Sequence, residues 1–531
     1  MEKADDQDHR IISHENFNSY NIVFKLMKLH KLLSILILIP LLGTCACNTS
    51  EKSESAKDSG FCTPEEAGIS SRSILQFVEA LEAAQPDALH SLMLRRHGNI
   101  VAEGWWSPYK PESPHLLWSL SKSFTSTSIG MAQDEGLLSI DDKLISFFPE
   151  DLPKEISDNL EAMRIRDLLK MNSGHQWSTG PNMRQGDNWV KGFLSQEVQF
   201  KPGTIFVYNS GATYMLSAII TKVTGMSVLD FLTPRLFEPL GIEDPAWESD
   251  PKGINVGGWG LSVKTEDISK LGQLYLQKGA WEGKQLLSKS WVEEATGYQT
   301  SNGSNPESDW EQGYGYQFWQ CRHNAYRGDG AFGQYCIVLP EQDAVLAITS
   351  GSDDMQGILN VVWEHLLPAM KEGSLSPDEE GIGLLNQKLN NLTISMLEGN
   401  ENSPKATEVT GKTYTMEQND RSIKSISFNF NASPTEITIT TDQGEQSFKA
   451  DYQNMVEGSL GNPPLVSEKV AVNGAWKADD TYAVNIIYFE TPQSIKYTFR
   501  FEDNRLLWDT ENKASFGPRN PEQLIGAFKA Y

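Results

Sequence analysis

The stretch Trp118-Ser-Leu-Ser-Lys-Ser-Phe124 is the most informative part of the sequence, because Ser119 is followed three positions later by Lys122. Residues three apart are neighbours on a helix, and the spacing of the apolar residues predicts a helix from about Ser119 to Gly136. Free backbone N–H groups at a helix start can stabilise an oxyanion, and burial makes a lysine easier to deprotonate. We therefore interpret Ser119 as a nucleophile and Lys122 as the group that activates it.

The same spacing occurs once more nearby, at Ser107 and Lys110, so the pattern alone is weak. Pro108 lies between these two residues and disfavours the helix that would put their side chains on one face. The chain has no G-x-S-x-G motif, which argues against the nucleophile elbow of α/β-hydrolases. Further motifs are therefore needed to support Ser119 and Lys122 as a catalytic pair.

Two further motifs follow the Ser119 segment along the chain, and the order and spacing of all three are informative. The first is Tyr208-Asn-Ser210, which follows a Pro-Gly turn, and the second is the run Tyr326-Arg-Gly-Asp-Gly-Ala331, whose small residues open a strand and allow close approach of the backbone. Together the three motifs resemble those of the serine β-lactamase and penicillin-binding superfamily. The resemblance covers roughly residues 61–372. It extends to β-lactamase-related esterases, D-aminopeptidases and nylon-oligomer hydrolases through the runs Pro64–Ile69, Ile165–Leu169, Ser173–His175, Gly257–Ser262 and Gln273–Leu276.

The resemblance implies a role for each motif residue. Ser119 would form an acyl-enzyme, Lys122 would act as general base, and Tyr208 would pass protons to the leaving group and activate the deacylating water. The backbone N–H groups of Ser119 and Ala331 would form the oxyanion hole. Ser210 replaces the Asn of the more usual Tyr-x-Asn motif and shortens its reach. No metal and no cofactor are implied.

The third motif departs from the pattern of β-lactam-active members, which usually carry a Lys or His ahead of a Thr. Gly328 and Asp329 take these places, and Gly330 and Ala331 complete the expected substrate-binding and oxyanion set. The site would lose a cation and gain an anion unless Arg327 offsets it. We therefore expect neutral or amine-bearing substrates to react better than carboxylate-bearing β-lactams.

The function implied is an exported serine hydrolase that cleaves ester or amide bonds of small substrates. A penicillin-binding D,D-peptidase or a β-lactamase is the alternative enzyme, and a catalytically inactive binding protein of this fold is the alternative from another class. Forty-five basic and 70 acidic residues give a formal charge of −25, which repels nucleic acid and anionic lipid, so neither is an expected partner.

The order of the patterns predicts an α/β (α+β), β-lactamase-like fold with an antiparallel sheet flanked by helices, a helical lobe, and an additional C-terminal all-β domain. Helices are expected at 71–84 and 357–370, and strands at 91–96, 100–105, 313–320, 333–339 and 344–350. The expected domains are an upstream extension at 1–26, a lipoprotein-type signal peptide at 27–47, a flexible linker at 48–60, the hydrolase domain at 61–372, a linker with a short helix at 373–409, and the β-rich domain at 410–531.

The segment Met27–Cys47 has a basic start, an apolar run and small residues beside cysteine, which is the layout of a secretory signal. The apolar run Leu32–Leu42 is shorter than the ~20 residues of a membrane span, although an anchor helix is the alternative. Cys47 fits a lipid-attachment site better than Cys45. We therefore expect a periplasmic or cell-envelope lipoprotein, held to a membrane by an N-terminal lipid anchor.

Cysteines and tryptophans leave two questions open. Cys321 and Cys336 lie on neighbouring strand-like runs, where they could pair or remain free thiols. Four tryptophans near the motifs could line the cleft or pack in the core. These are Trp118, Trp177, Trp189 and Trp259.

Overall fold

The computed structural model describes residues 60–461 and 469–528. The proposed signal peptide lies outside the described residues, and so do both candidate lipid-attachment sites, Cys45 and Cys47. Export and lipidation therefore stay predictions.

The first domain is built on an antiparallel sheet of six strands. Its strands, with those of two small accessory sheets, are β1 Leu89–Arg96, β2 Asn99–Trp105, β3 His115–Leu116, β4 Ala246–Trp247, β5 Leu261–Val263, β6 Ala280–Trp281, β7 Lys284–Gln285, β8 Trp319–Gln320, β9 Tyr326–Gly330, β10 Gln334–Leu339 and β11 Ala344–Ser350. The order in the main sheet is β2-β1-β11-β10-β9-β8, so strands from both ends of the domain meet at β1 and β11. This confirms the predicted antiparallel sheet.

Local sequence explains the first hairpin. The turn between β1 and β2 consists of His97 and Gly98, whose φ angles are +52° and +82°. Two successive positive φ angles match the twist of a two-residue hairpin turn, in which glycine relieves the steric cost. The strands predicted at 91–96 and 100–105 are confirmed, and they pair as a hairpin.

Helices cover both faces of the sheet and form the inserted lobe. They are α1 Ser71–Ala84, α2 Ser121–Asp134, α3 Asp158–Ala162, α4 Ile165–Leu169, α5 Gly180–Met183, α6 Trp189–Leu194, α7 Ser210–Thr224, α8 Val228–Leu232, α9 Glu238–Leu240, α10 Thr265–Leu276, α11 Lys289–Thr296, α12 Met355–Val361, α13 Glu379–Leu389 and α14 Pro404–Val409. Helices α3 to α9 lie between β3 and β5 in sequence and form the helical lobe that the sequence predicts.

The sheet separates two hydrophobic cores. Phe124 of α2, Leu216 of α7 and Leu271 of α10 belong to the larger core on one face. Phe77 of α1 and Leu359 of α12 belong to the core on the other face. Both faces of the central strands are therefore buried, and β9 contacts α2 and the 3-10 turn before it.

The C-terminal domain is all-β, as predicted. Its strands are β12 Thr413–Met416, β13 Ile423–Asn429, β14 Thr435–Thr441, β15 Gly444–Ala450, β16 Val456–Ser459, β17 Lys469–Ala478, β18 Thr481–Ile487, β19 Ser494–Glu502, β20 Arg505–Lys513 and β21 Leu524–Ala527. The sheet runs in the order β15-β14-β13-β12-β21-β20-β19-β18-β17-β16, and a bridge from Asp451 to Asn473 brings its two ends together. The result is a near-barrel around buried rings such as Trp476 and Trp508.

Two local expectations need correction. The strand expected at 313–320 is reduced to β8, because Gly313 and Gln317 have positive φ angles that interrupt an extended backbone. The helix expected at 357–370 ends as α12 and continues in a π turn, Val362–Leu366. The segment 373–409, expected to be a linker with a short helix, contains α13, and Asp378 at the start of this helix forms an ion pair with Arg72 of α1 at 2.7 Å.

Among the described residues, no single helix is long and apolar enough to cross a membrane. A bent pair, Ser210–Thr224 with Val228–Leu240, meets the criteria of length and composition only.

Candidate active site

Ser119 lies in a short 3-10 turn, Trp118–Leu120, that leads directly into α2. The α-helix therefore begins two residues later than the sequence predicts. Trp118 has a φ of +47°, an unusual conformation for a non-glycine residue. The Ser121 hydroxyl donates to the Trp118 carbonyl at 2.7 Å and accepts from the backbone N–H of Leu261 at 3.1 Å. The serine is thus presented on a turn that its neighbours hold in place.

Lys122 connects the first motif to the second. Its Nζ is 2.9 Å from Ser119 Oγ, 3.2 Å from Ser210 Oγ and 2.6 Å from the carbonyl oxygen of Gly258. The lysine is only 2% exposed. An ammonium in this position has exchanged water for three protein oxygens, and in its neutral form it can accept the proton of Ser119. The structure therefore brings together Ser119, Lys122 and Ser210, as the motifs predict.

The Gly258 carbonyl is a contact that residue-by-residue reasoning missed. It belongs to the run Gly257-Gly-Trp-Gly260, which the sequence offered only as part of a family resemblance. A side chain at Gly257 would come within 2.8 Å of Ser217 Cβ, and one at Gly258 within 3.0 Å of the Ser210 carbonyl. The glycines thus allow this loop to approach Lys122, and clustered glycines were the available signal.

Tyr208 lies directly beside Lys122. The Lys122 Nζ is 4.8 Å from the centre of the Tyr208 ring, and the ring stacks on Trp319 at 5.5 Å. The following residue, Asn209, caps α7 by accepting a hydrogen bond from the Gly211 backbone N–H at 3.0 Å. The cap fixes the backbone and Trp319 fixes the ring, so the tyrosine has little freedom to leave the lysine.

The glycines of the third motif make a close packing contact with the turn that carries Ser119. A Cβ on Gly330 would lie 2.0 Å from the Leu117 carbonyl oxygen, and one on Gly328 would lie 2.5 Å from Ser123 Oγ. Both positions face α2 and the turn that precedes it. Their smallness lets β9 lie against the Ser119 turn, a role in addition to the substrate contact that the sequence predicts.

Asp329 and Arg327 lie on the opposite face of β9, since side chains alternate along a strand. The Asp329 carboxylate is 3.0 Å from Arg327 Nε and 2.9 Å from Arg327 Nη2. Burial raises the pKa of Asp329, while Arg327, Trp319 and Lys122 act to lower it. The geometry therefore favours the alternative in which Arg327 offsets the Asp329 carboxylate, because the pair carries no net charge when both groups are ionised.

Ala331 begins the turn between β9 and β10. Gln334 donates to its carbonyl at 3.0 Å, and Ser350 donates to the carbonyl of Phe332 at 2.7 Å. Phe332 has a φ of +67°. The turn is held by side chains from two strands, but the part played by the Ala331 N–H in an oxyanion hole stays a prediction.

The four tryptophans differ in their surroundings. Trp189 is buried and stacks on Trp259 at 6.2 Å, whereas Trp177 is 71% exposed. Trp259 donates to Glu248 at 3.2 Å, and burial raises the pKa of Glu248 to about 7. Trp118 contacts the Phe332 ring edge-on at 6.4 Å. Trp118 and Trp259 thus directly adjoin residues of the site.

The cysteines Cys321 and Cys336 are both free and buried, so the disulfide alternative is wrong and the free-thiol alternative is confirmed. Cys321 accepts a hydrogen bond from Arg327 at 3.1 Å, and Cys336 donates to the Ile268 carbonyl at 3.4 Å. They lie in different cores, on opposite faces of the sheet. Burial raises the pKa of Cys321 to about 11 and that of Cys336 to about 12.

Comparisons with known proteins agree on one family. A family model described as Beta-lactamase matches residues 78–361. A 6-aminohexanoate-dimer hydrolase of Paenarthrobacter ureafaciens is 25% identical over 303 residues, which cover 52% of this chain and 75% of that protein. A lovastatin esterase of Penicillium rubens is 24% identical over 168 residues, or 27% of this chain and 42% of the esterase.

Solved structures that resemble this chain include a penicillin-binding protein homologue. The octameric penicillin-binding protein homologue from Pyrococcus abyssi is 17% identical and covers 86% of this chain and 99% of that one, with a TM-score of 0.45.

Proposed function

This chain belongs to the beta-lactamase family, and we propose that it hydrolyses small ester or amide substrates through an acyl-enzyme formed on Ser119. The family match confirms the resemblance and the fold class expected from the motifs. One observation carries the proposal further. The buried Lys122 Nζ lies 2.9 Å from Ser119 Oγ and 4.8 Å from the centre of the Tyr208 ring.

The proposed reaction begins with neutral Lys122. Lys122 takes the Ser119 proton as Oγ attacks the substrate carbonyl carbon, and backbone N–H groups at the turn receive the charge that develops on the carbonyl oxygen. The proton then passes to the leaving alcohol or amine as its bond to the acyl carbon breaks.

Tyr208 is the second proton carrier in this proposal. Its ring lies beside Lys122, so a hydroxyl–amine relay can deliver the proton to the leaving group. In deacylation the relay runs in reverse, because it removes a proton from the attacking water, and Ser119 recovers its proton as the acyl bond breaks. The hydrogen bond from Lys122 to the Gly258 carbonyl keeps the amine aimed at this point during both steps.

The substrate class is proposed from the relatives and from the charge of the site. One relative is named for hydrolysis of a 6-aminohexanoate dimer and another as an esterase. The third motif supplies the internally paired Arg327 and Asp329 and leaves no uncompensated cation there for a substrate carboxylate. We therefore propose neutral esters and amides ahead of carboxylate-bearing β-lactams.

A fluorophosphonate activity probe tests the proposal, because it reacts with an activated serine. The wild type should be labelled, and Ser119→Ala should not. Ser107→Ala is the matched control, since Ser107 is exposed and has a lysine at the same spacing. Absence of labelling in folded wild type would favour the catalytically inactive binding protein instead.

The alternative enzyme, a D,D-peptidase or β-lactamase, is tested by a substrate panel. Short-chain esters, amino-acid amides and a β-lactam should be compared by kcat/KM on the same preparation. A higher value for the β-lactam than for matched neutral esters would overturn the proposed substrate class while leaving the acyl-enzyme chemistry intact.

Export is a separate proposal that rests on the sequence of the segment 27–47. We propose that Cys47 carries the lipid anchor after cleavage of a signal peptide. Mass spectrometry of the mature N-terminus in a bacterial host tests it, with Cys47→Ser and Cys45→Ser compared. An N-terminal residue without acyl groups would contradict lipidation.

A further inference from the structure

A loop of the C-terminal domain reaches the nucleophile turn of the hydrolase domain. It spans residues 514–523, between β20 and β21. Phe516, in this loop, packs edge-on against Trp118 with ring centres 5.1 Å apart, and its ring centre is 5.0 Å from that of Phe332. A side chain of the second domain thus joins two residues of the first domain.

These two residues flank the centre of the proposed chemistry. Trp118 directly precedes Ser119, and Phe332 directly follows Ala331. Both have positive φ, at +47° and +67°, so each sits on a sharply turned backbone. Phe516 therefore lies where the nucleophile turn meets the β9–β10 turn.

The loop is held in this position by its own contacts. Arg519 pairs with Asp353 of the hydrolase domain at 3.5 Å and with Glu511 of β20 at 3.0 Å. Asn512 donates from its backbone to the Arg519 carbonyl at 2.7 Å and from its side chain to the Pro518 carbonyl at 3.1 Å. Ion pairs and hydrogen bonds thus hold the loop that carries Phe516.

A second contact fixes the C-terminal domain to the same segment. The backbone N–H of Leu116 donates to the Glu490 carbonyl at 2.8 Å, and the Tyr109 hydroxyl donates to the Thr491 carbonyl at 3.4 Å. Leu116 lies three residues before Ser119. The position of Phe516 over the nucleophile turn is therefore set by two independent loops.

We propose that the C-terminal domain supplies one wall of the substrate site and that Phe516 selects substrates with an apolar acyl group. This inference rests on the proposed function of Ser119. Phe516 is 45% exposed although it packs on two rings, so it offers an apolar face beside Trp118, the residue that precedes the serine. An acyl chain bound to Ser119 buries apolar surface against this face, and burial of apolar surface stabilises the complex.

The kinetic test compares p-nitrophenyl acetate with p-nitrophenyl hexanoate. Phe516→Ala should lower the ratio of kcat/KM for hexanoate to that for acetate about tenfold, a size typical of an apolar specificity contact. Phe516→Leu should retain most of the ratio, because it keeps apolar bulk. Phe61→Ala is the matched control, since Phe61 is also an exposed phenylalanine, 52% accessible, but lies against Ile100 of edge strand β2.

A binding test separates failure of this inference from failure of the proposed function. In the Ser119→Ala background, hexanoate ester is not turned over, so its dissociation constant can be measured by calorimetry. Adding Phe516→Ala should weaken binding about tenfold. An unchanged dissociation constant and an unchanged acyl-chain ratio would show that Phe516 only holds the two domains together. Fluorophosphonate labelling of the single Phe516→Ala variant should persist, because the nucleophile is untouched.

Discussion

The chain contains the Ser-x-x-Lys spacing in two nearby segments, 107–110 and 119–122, and the structure uses them differently. In the second segment the lysine is buried, and its Nζ lies 2.9 Å from the serine. In the first segment Ser107 is exposed, and Lys110 pairs with Glu457 of the C-terminal domain at 2.6 Å. The spacing is the same, but only one segment folds into a turn that leads into a helix.

The first segment, 107–110, contacts parts of the chain that are distant in sequence. The Ser107 backbone N–H donates to the Leu392 carbonyl at 3.0 Å, and its carbonyl accepts from Ile394 at 2.9 Å. Tyr109 stacks on His90 with ring centres 3.8 Å apart. The same local pattern therefore lies in two different surroundings, and burial beside a second motif is the difference on which the proposed chemical role of residues 119–122 rests.

The largest effect is expected at Lys122. Lys122→Met keeps most of the side-chain volume but removes the proposed base, so kcat/KM should fall by about three orders of magnitude, within the range of general-base catalysis. Ester hydrolysis measured beside a thermal melt checks this result. If Lys122→Met keeps kcat/KM within about tenfold of wild type, the second segment has no catalytic role that distinguishes it from the first.

The next effect concerns protein stability and the buried pair His90 and His115, which lies beside Tyr109 of the first segment. His90 Nδ1 is 3.0 Å from His115 Nε2, and burial lowers the pKa of His90 well below its usual value and that of His115 to about 4. Because the pKa values of both histidines are lower in the folded protein, the folded protein binds fewer protons than the unfolded chain between pH 6.5 and 4. The free energy of unfolding is therefore highest above pH 6.5 and falls as the pH drops toward 4. The loss from His115 alone should reach about 3 kcal/mol.

Denaturant melts at several pH values between 7 and 4 measure this dependence. His115→Asn should flatten it in part relative to wild type, because one of the two buried titrating imidazoles is gone. If both proteins lose the same stability over this range, His115 is not a cause.

A smaller effect is expected at Tyr208. Tyr208→Phe keeps the ring stacked on Trp319 and removes only the hydroxyl, so kcat should fall about 100-fold while the melting temperature stays close to that of wild type. Tyr109→Phe is the matched variant in the first segment and should leave kcat unchanged. Equal kinetic effects of the two changes would contradict the assigned proton relay.

The smallest effect is expected at Lys110. Its pair with Glu457 is exposed, with side chains 37% and 51% accessible. Lys110→Met should therefore change the free energy of unfolding by less than about 1 kcal/mol and should not change kcat/KM. A fall in activity comparable to that of Lys122→Met would show that the first segment also takes part in the chemistry.

Periodicity predicted much of the fold because it reflects which side chains are buried. Helix α1 has the bounds expected from its apolar spacing, and the hairpin of β1 and β2 follows from a glycine between alternating residues. The segment 313–320 was less predictable, because its aromatic residues resemble a strand while positive φ angles at Gly313 and Gln317 interrupt it. Backbone conformation of this kind depends on tertiary contacts.

The candidate site was predictable where chemistry requires a side chain and less so where it requires a backbone atom or a distant contact. Ser119, Lys122 and Ser210 meet as the motifs imply. The Gly258 carbonyl has no side-chain signal, and Phe516 lies almost 400 residues from Ser119 in a domain without recognised motifs. The packing that brings these groups to the serine can be read only from the structure.

The most direct test of the proposed chemistry is to trap the acyl-enzyme and locate it. Wild-type protein mixed with p-nitrophenyl hexanoate and quenched in acid should gain the mass of one hexanoyl group, and peptide fragmentation should place it on Ser119. The adduct should be absent from Ser119→Ala and retained in Ser107→Ala. Hydrolysis with a hexanoyl group found on Ser107, or on any residue other than Ser119, would contradict the mechanism.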